Sequence, residues 1–163
     1  MDTTLISEFK DGMRRLASGV SLIATTNSDR DYGMAATAVT LLTAEPPTLL
    51  ICLNRQASLH GPLLKSLRFS VNVLSERHAA LLGIFSDPAR RDTRFESGDW
   101  HRTHGLPVLH GAQVAFICET TKQTNAGSHV VIFGQVTGVL ELSPEATPLV
   151  WYRGGSHNLG TIE

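Results

Sequence analysis

Disulfide frameworks, membrane spans and the common nucleotide loops are all missing from this 163-residue chain. It has two cysteines, Cys52 and Cys118, and no Cys-x-x-Cys. Each cysteine sits in an apolar run (Leu-Leu-Ile-Cys-Leu and Ala-Phe-Ile-Cys-Glu), which favours buried, reduced thiols over a disulfide. No apolar run approaches the ~20 residues that cross a bilayer. Asp2 and Glu8 interrupt the N-terminus, so no secretory or transit signature is seen and a cytoplasmic location is expected. Neither Gly-x-Gly-x-x-Gly nor Gly-x-x-x-x-Gly-Lys-Ser/Thr occurs, which leaves the chain without the usual dinucleotide and phosphate fingerprints. A charge excess is lacking too. Lys and Arg total 14 against 15 for Asp and Glu, a net charge of −1 that gives no general attraction to nucleic acid or anionic lipid. Any anion must be bound locally.

What remains is a chain with 42% hydrophobic residues and no low-complexity tract, enough for one domain over 1–163 with a sizeable core. Leu5, Ile6, Phe9, Met13, Leu16 and Ala17 recur at helical spacing, and Gly19 lies where that amphipathic helix would stop. Strands are expected over 20–26, 34–43, 49–53 and 69–74, with a turn at 27–31 and punctuation at Pro46-Pro47. Helices are expected over 58–67, with Pro62 near its first turn, and over 76–85. Residues 86–105 turn polar and read as the longest loop. Two long strands, 112–122 and 130–142, read as a hairpin through Asn125-Ala126-Gly127-Ser128, and a last strand covers 149–152. Six or seven strands with antiparallel connections and three irregularly placed helices do not make a doubly wound sheet. The expected class is mainly β, an antiparallel barrel with flanking helices.

One segment carries more than packing. Gly33-Met34-Ala35-Ala36-Thr37-Ala38-Val39-Thr40 sets small and hydroxyl side chains along an expected strand, with Thr37 and Thr40 on opposite faces and Ala36 and Ala38 beside Thr40. Two alanines beside a hydroxyl let backbone groups approach a flat ring. Downstream, Cys52-Leu53-Asn54-Arg55-Gln56-Ala57-Ser58 places Ser58 at the start of a helix, where unpaired N–H groups favour a phosphate. Other patterns are weaker. His101-x-x-His104 lies in the polar loop with no third ligand at suitable spacing, so no metal site is expected. Ser128-His129 lacks the third member of a hydrolase triad. Arg90-Arg91-Asp92-Thr93-Arg94 is a short basic run that ordinarily marks a solvated face but here precedes Phe95 and is suited to lie over a phosphate. Trp100 and Trp151 suit core or interface anchors.

Taken in order, these residues resemble the flavin reductase-like family, the small reductase partners of two-component flavin-dependent monooxygenases. The resemblance is carried by Ser18-Gly19-Val20, the 33–40 segment, Pro46-Pro47, Cys52-Leu53-Asn54, Ser58, Phe69 to Leu74, Arg94-Phe95, Trp100, Gly127-Ser128-His129 and Trp151-Tyr152-Arg153-Gly154. It implies a six- to seven-stranded FMN-binding split barrel, a homodimer with flavin near the subunit interface, and an NAD(P)H:flavin oxidoreductase that delivers reduced FMN or FAD to a monooxygenase. Carried over by resemblance, Thr37, Ala38, Thr40, Cys52 and Asn54 line the flavin, Ser58 takes its phosphate, Arg94 and Phe95 help close the pocket, and His129 faces the nicotinamide of NADH or NADPH. Two other readings of the same barrel stay open: a flavin-binding electron carrier, and an oxidase of the pyridoxamine-phosphate type. The chain departs from the family at Arg153-Gly154-Gly155-Ser156-His157, where many members carry an aromatic after Arg-Gly-x.

Overall fold

The computed structural model describes residues 2–140, 143 and 145–159. Its first helix, α1 (Thr3–Met13), starts where the Asp2 carboxylate accepts the Thr4 N–H at 2.9 Å. The apolar stripe has the expected period, yet no residue of α1 is buried; Leu5, Phe9 and Leu16 are each about three-fifths exposed. Strands β1 (Ser18–Gly19), β2 (Ser21–Asn27), β3 (Arg30–Ala36), β4 (Val39–Ala44) and β5 (Pro47–Asn54) follow. Then come α2 (His60–Ser66), β6 (Arg68–Val73) and α3 (Ala79–Ser86), which is entered through a 3₁₀ turn at Glu76–His78. The chain ends with β7 (Trp100–Thr103), β8 (Leu106–Leu109), β9 (Val114–Ala126), β10 (His129–Leu140), β11 (Leu149–Tyr152) and β12 (Gly155–Asn158).

Seven of these strands form one antiparallel sheet in the order β3-β2-β6-β9-β10-β5-β4. Its two edge strands are consecutive in sequence. Only Thr37 and Ala38 separate Ala36 of β3 from Val39 of β4, a reach of at most about 11 Å, so the sheet curls until its edges meet. No β3–β4 ladder seals that seam among the described residues, which makes the barrel split. The single strand expected over 34–43 is therefore two strands. Sequence alternation continues through Thr37-Ala38, but the chain must leave one edge for the other, and it bends there.

The barrel interior holds Ile23, Ile51, Phe69, Val71 and Ile132, all 1% exposed or less, and α2 plugs it with Leu59 and Leu63. The outer face of β2 is covered by α3: Leu22 packs with Leu74, Leu81 and Phe85. Covered on both faces, β2 is buried from Ser21 to Thr25. Each fully buried Leu, Ile or Phe contributes on the order of 1.5–3 kcal/mol. The stretch expected to be a loop, 86–105, is instead two 3₁₀ turns (Pro88–Arg90 and Arg94–Glu96) followed by β7 and its partner β8. Polar composition hid this because the anchors are tertiary: Trp100 packs against Phe85 and Phe95, and Asn72 Oδ1 accepts the Leu109 N–H at 2.9 Å.

The long hairpin is present, with a tighter turn than expected: β9 and β10 run to Ala126 and from His129, joined by Gly127 (φ 58°) and Ser128. Residues 141 and 142 of the expected second strand lie outside the described residues. A small sheet, β1-β11-β12, adds a final hairpin where the sequence showed only a Gly-rich tail. No helix among the described residues is long and apolar enough to cross a membrane.

Candidate functional site

A cleft of about 330 Å³ opens beside the end of β3. One wall is Met34 and Ala35, a second is Gln56, Ala57 and Ser58, and a third is Phe85, Ser86, Pro88, Arg91 and Arg94. The second wall is built by Asn54. Its Oδ1 accepts the Gln56 N–H at 2.9 Å and its carbonyl accepts the Ala57 N–H at 3.0 Å, a side-chain turn that swings the chain out of β5. Ser58 therefore sits in a turn two residues before α2, whose cap position is Leu59 with no side-chain cap bond. The expectation that Ser58 caps the helix is corrected; its place on the cleft wall is not changed by that.

The third wall hangs on Arg94, which is 6% exposed. Its guanidinium donates to the Gly33 carbonyl at 2.6 Å and the Asp87 carbonyl at 2.9 Å, bolting the 87–94 segment to β3. Burial, and secondarily Arg91, pull its pKa below the ordinary guanidinium value. Arg94 Nε is buried with no hydrogen-bond partner, in a residue that lines the cleft. A buried charged donor left unpaired is costly. Arg91 stands beside it, held by an Nε–H to the Pro88 carbonyl at 3.1 Å, and no carboxylate lines the cleft. A larger groove of about 540 Å³ lies between Glu76, Arg77 and His157; it carries a carboxylate and no buried unpaired donor, so the smaller cleft is the better anion site.

Phe95 is not on the cleft wall. Its ring lies 5.2 Å from Phe85 and 4.9 Å from Trp100, beneath Gly33. A Cβ on Gly33 would meet Phe85 Cε1 at 2.7 Å and Phe95 Cζ at 3.0 Å, so glycine is required there by close approach. Of the expected pocket-closing pair, Arg94 lines the cleft and bolts its wall to β3, while Phe95 lies beneath Gly33.

Strand register brings most of the remaining expected residues together. Across β5 and β10, Asn54 pairs His129 and Cys52 pairs Val131, while Leu53, Ile51, Val130 and Ile132 point into the core. The Cys52 N–H donates to the Ala38 carbonyl at 3.2 Å, and Thr40 pairs Leu50. Directly paired residues share a face, so Ala38, Thr40, Cys52, Asn54 and His129 all stand on the outer surface of the sheet. His129 Nδ1 is tied to Ser128 Oγ at 2.9 Å. Thr37 departs from this group: it is exposed at the bend and lines a different groove, against α1 and Trp151. Cys118 takes no part, since burial pushes its thiol up to about 12. No group of three or more His, Cys, Asp or Glu that could hold a metal occurs among the described residues.

Residues 13–160 match the flavin reductase like domain family. The chain belongs to the flavin reductase-like family. Within that family it is 34% identical over 154 residues to an FMN reductase (NADH) RutF of Variovorax paradoxus, covering 94% of this chain and 85% of that one. It is 38% identical over 146 residues to the reductase component of an FADH(2)-dependent resorcinol hydroxylase from Rhizobium, covering 88% and 81%. In structure it is similar to the flavin reductase of styrene monooxygenase from Pseudomonas putida, with a TM-score of 0.85, 25% identity and coverage of 96% and 99%. Against this flavin reductase-like background, the sequence pointed to Arg91 only as part of a basic run suited to a phosphate, and it missed Gln56 and Ser86 as cleft residues. Gln56 and Ser86 carry no sequence signal, because their placement depends on the Asn54 turn and on the end of α3.

Proposed function

We propose that the protein is an NAD(P)H:flavin oxidoreductase that reduces FMN or FAD and releases it to a partner monooxygenase, with NADH and FMN favoured by the names of its relatives. The observation that carries this reading is a cleft lined by Ser58, Arg91 and Arg94 and by no carboxylate, next to an outer sheet face of small side chains. That donor set fits the phosphate of a flavin mononucleotide, and Ala38 and Cys52 leave the face flat enough for its ring.

Bound flavin supplies the redox chemistry by accepting a hydride from the dihydronicotinamide ring. The chain's own residues bind and orient. Ser58, Arg91 and Arg94 hold the phosphate; Asn54 shapes the turn that carries Ser58 and offers its edge to the ring; Thr40 gives a hydroxyl on the same face. His129, oriented by Ser128, presents Nε2 to the nicotinamide, where it positions that ring without exchanging a proton. Thr37 and Phe95 are supporting residues in this scheme.

The active species is a homodimer of single-domain subunits. Exposed apolar side chains on the edge strand β4, Leu41 (73%) and Leu42 (47%), with Val139 on β10, offer the surface, and the outer sheet face needs a cover to exclude water from the rings. Unpaired Cys52 and Cys118 agree with a reducing, cytoplasmic setting. The test is NADH oxidation with added flavin, alongside Ser58→Asp. Turnover is expected to rise with flavin concentration, and the aspartate to weaken FMN binding by repulsion at unchanged melting temperature. A tightly held flavin without NADH oxidation, or an unchanged flavin Kd in Ser58→Asp, would refute the proposal.

A further inference from the structure

The wall that carries Arg91 and Arg94 is a loop whose own hydrogen bonds fix its shape but not its place beside the cleft. Asp87 caps the first 3₁₀ turn by accepting the Ala89 N–H at 2.8 Å, and the Arg90 carbonyl accepts the Thr93 N–H at 3.0 Å. The two ends of the loop are gathered on one side chain, since Arg94 donates to the Asp87 carbonyl and to the Gly33 carbonyl of β3. Its tip has a separate tie. Arg30, the first residue of β3, donates from its guanidinium to Asp92 Oδ1. Among the described residues this is the only hydrogen bond from residues 88–93 to anything outside 87–96.

Arg30 is itself well anchored. It follows the two-residue β2–β3 turn of Ser28 (φ 50°) and Asp29 (φ 60°), and its neighbour Asp31 accepts from Thr26 Oγ1 at 2.7 Å and from Arg102 of β7 at 2.9 Å. Its guanidinium lies over the Tyr32 ring, 5.2 Å from the centroid. A guanidinium stacked on a ring keeps its N–H groups free in its own plane, so the stack aims the donor that Asp92 receives. Asp92 also bears on the charge of the cleft. Burial first and then Arg91 lower the pKa of Arg94, while Asp87 and Asp92 push it back up. An unpaired carboxylate at 92 would compete for Arg91 and repel an incoming phosphate, and pairing with Arg30 offsets that charge.

We propose that Arg30 is a positioning residue for the flavin phosphate: through Asp92 it pins the tip of the 87–94 wall and offsets the carboxylate next to Arg91, so that Arg91 stays turned to the cleft. Arg30 does not line the cleft and touches no ligand there. The inference rests on the reading of that cleft as the flavin phosphate site. Arg30 and Asp92 are 54% and 71% exposed, so their pairing contributes little to the fold, and its effect on binding is modest and confined to ligands that carry the phosphate.

Two probes separate positioning from plain structural support: FMN, and riboflavin, which has the same ring and ribityl chain without the phosphate. Each is titrated against the protein by flavin fluorescence. Arg30→Ala is expected to raise the FMN Kd about threefold to fivefold and to leave the riboflavin Kd unchanged. Arg30→Lys keeps a cation within reach of Asp92 and should retain most of the FMN affinity. In an Arg91→Ala background, Arg30→Ala should cost nothing further, because the residue it positions is gone. An unchanged FMN Kd in Arg30→Ala overturns the proposal. So does an equal loss for riboflavin, which would mark ordinary damage to the fold, and so does a full loss that persists beside Arg91→Ala, which would mean that Arg30 acts by another route. A parent protein that binds FMN no more tightly than riboflavin would overturn the phosphate reading of the cleft and this proposal with it, whereas the three preceding results overturn the proposal alone.

Discussion

Replacing Arg94 with methionine should separate a residue that holds the site together from one that only lends it charge. The side chain keeps an unbranched apolar stem but loses two charge-assisted hydrogen bonds, at 2.6 Å to the Gly33 carbonyl and 2.9 Å to the Asp87 carbonyl. Such bonds are worth roughly 1.5–3 kcal/mol each. Part of that is offset because a buried guanidinium no longer has to be desolvated, so the expected net loss is about 2–4 kcal/mol. For a chain of this size 1 kcal/mol moves the melting temperature by about 2–4 °C, which gives a fall of roughly 5–15 °C. The freed 87–94 segment carries Arg91 and Pro88 away from Ser58, and FMN affinity should drop at least tenfold. Arg94→Lys is the informative companion. Lysine retains the charge but, as a single ammonium without a planar fork, cannot serve both carbonyls in one geometry. It should therefore melt almost as low as Arg94→Met. Differential scanning calorimetry and FMN titration of both variants make the check. If Arg94→Met melts like the parent, the bolt does not exist; if Arg94→Lys restores both stability and FMN affinity, only the charge matters.

Three further outcomes follow from the same geometry. Gly33→Ala forces a Cβ to 2.7 Å from Phe85 and 3.2 Å from the Ile23 carbonyl, an overpacking that should cost about 1–3 kcal/mol; thermal unfolding at the parent's temperature would show that the aromatic floor yields freely. His129→Ala should slow flavin reduction or raise the KM for the nicotinamide about tenfold to a hundredfold with little change in flavin Kd, as measured by stopped-flow at saturating flavin. His78 is 8% exposed, with Nδ1 at 3.0 Å from Ser75 Oγ and Nε2 accepting from Arg77 at 3.3 Å, and burial first, then Arg77, holds its pKa below 6.5. The unfolded chain protonates this histidine before the folded one does, so its contribution is fully present above pH 6.5 and is lost as pH falls below it. His78→Gln should flatten that part of the stability–pH curve; an unchanged acid slope in urea titrations would refute the assignment.

The residues themselves determined the class of this protein, and their resemblance to a family named most residues of the candidate site. Alternating apolar strands with turn residues between them admit an antiparallel barrel, and small side chains around residue 38 with Cys52, Asn54 and His129 need only strand pairing to fall on one face. The strands and turns are local properties, legible from period and turn chemistry; Cys52, Asn54 and His129 were marked by the family resemblance. What the sequence could not determine is where separate segments meet. Thr37 and Ala38 continue the alternation of a strand, and only barrel closure makes them a bend and sends Thr37 to another groove. Ser58 has the chemistry of a helix cap, yet the Asn54 turn leaves it one residue before the cap position, Leu59. Arg94 reads as an exposed member of a basic run because nothing local reports that Gly33, 61 positions away, offers it a carbonyl. Likewise α1 declares an apolar stripe without declaring what covers it, and Arg30 meets Asp92 only because the 87–94 segment returns along β3. Hydrogen bonds and charge clusters formed across long loops depend on the closed topology, and that information is carried by packing rather than by any window of sequence.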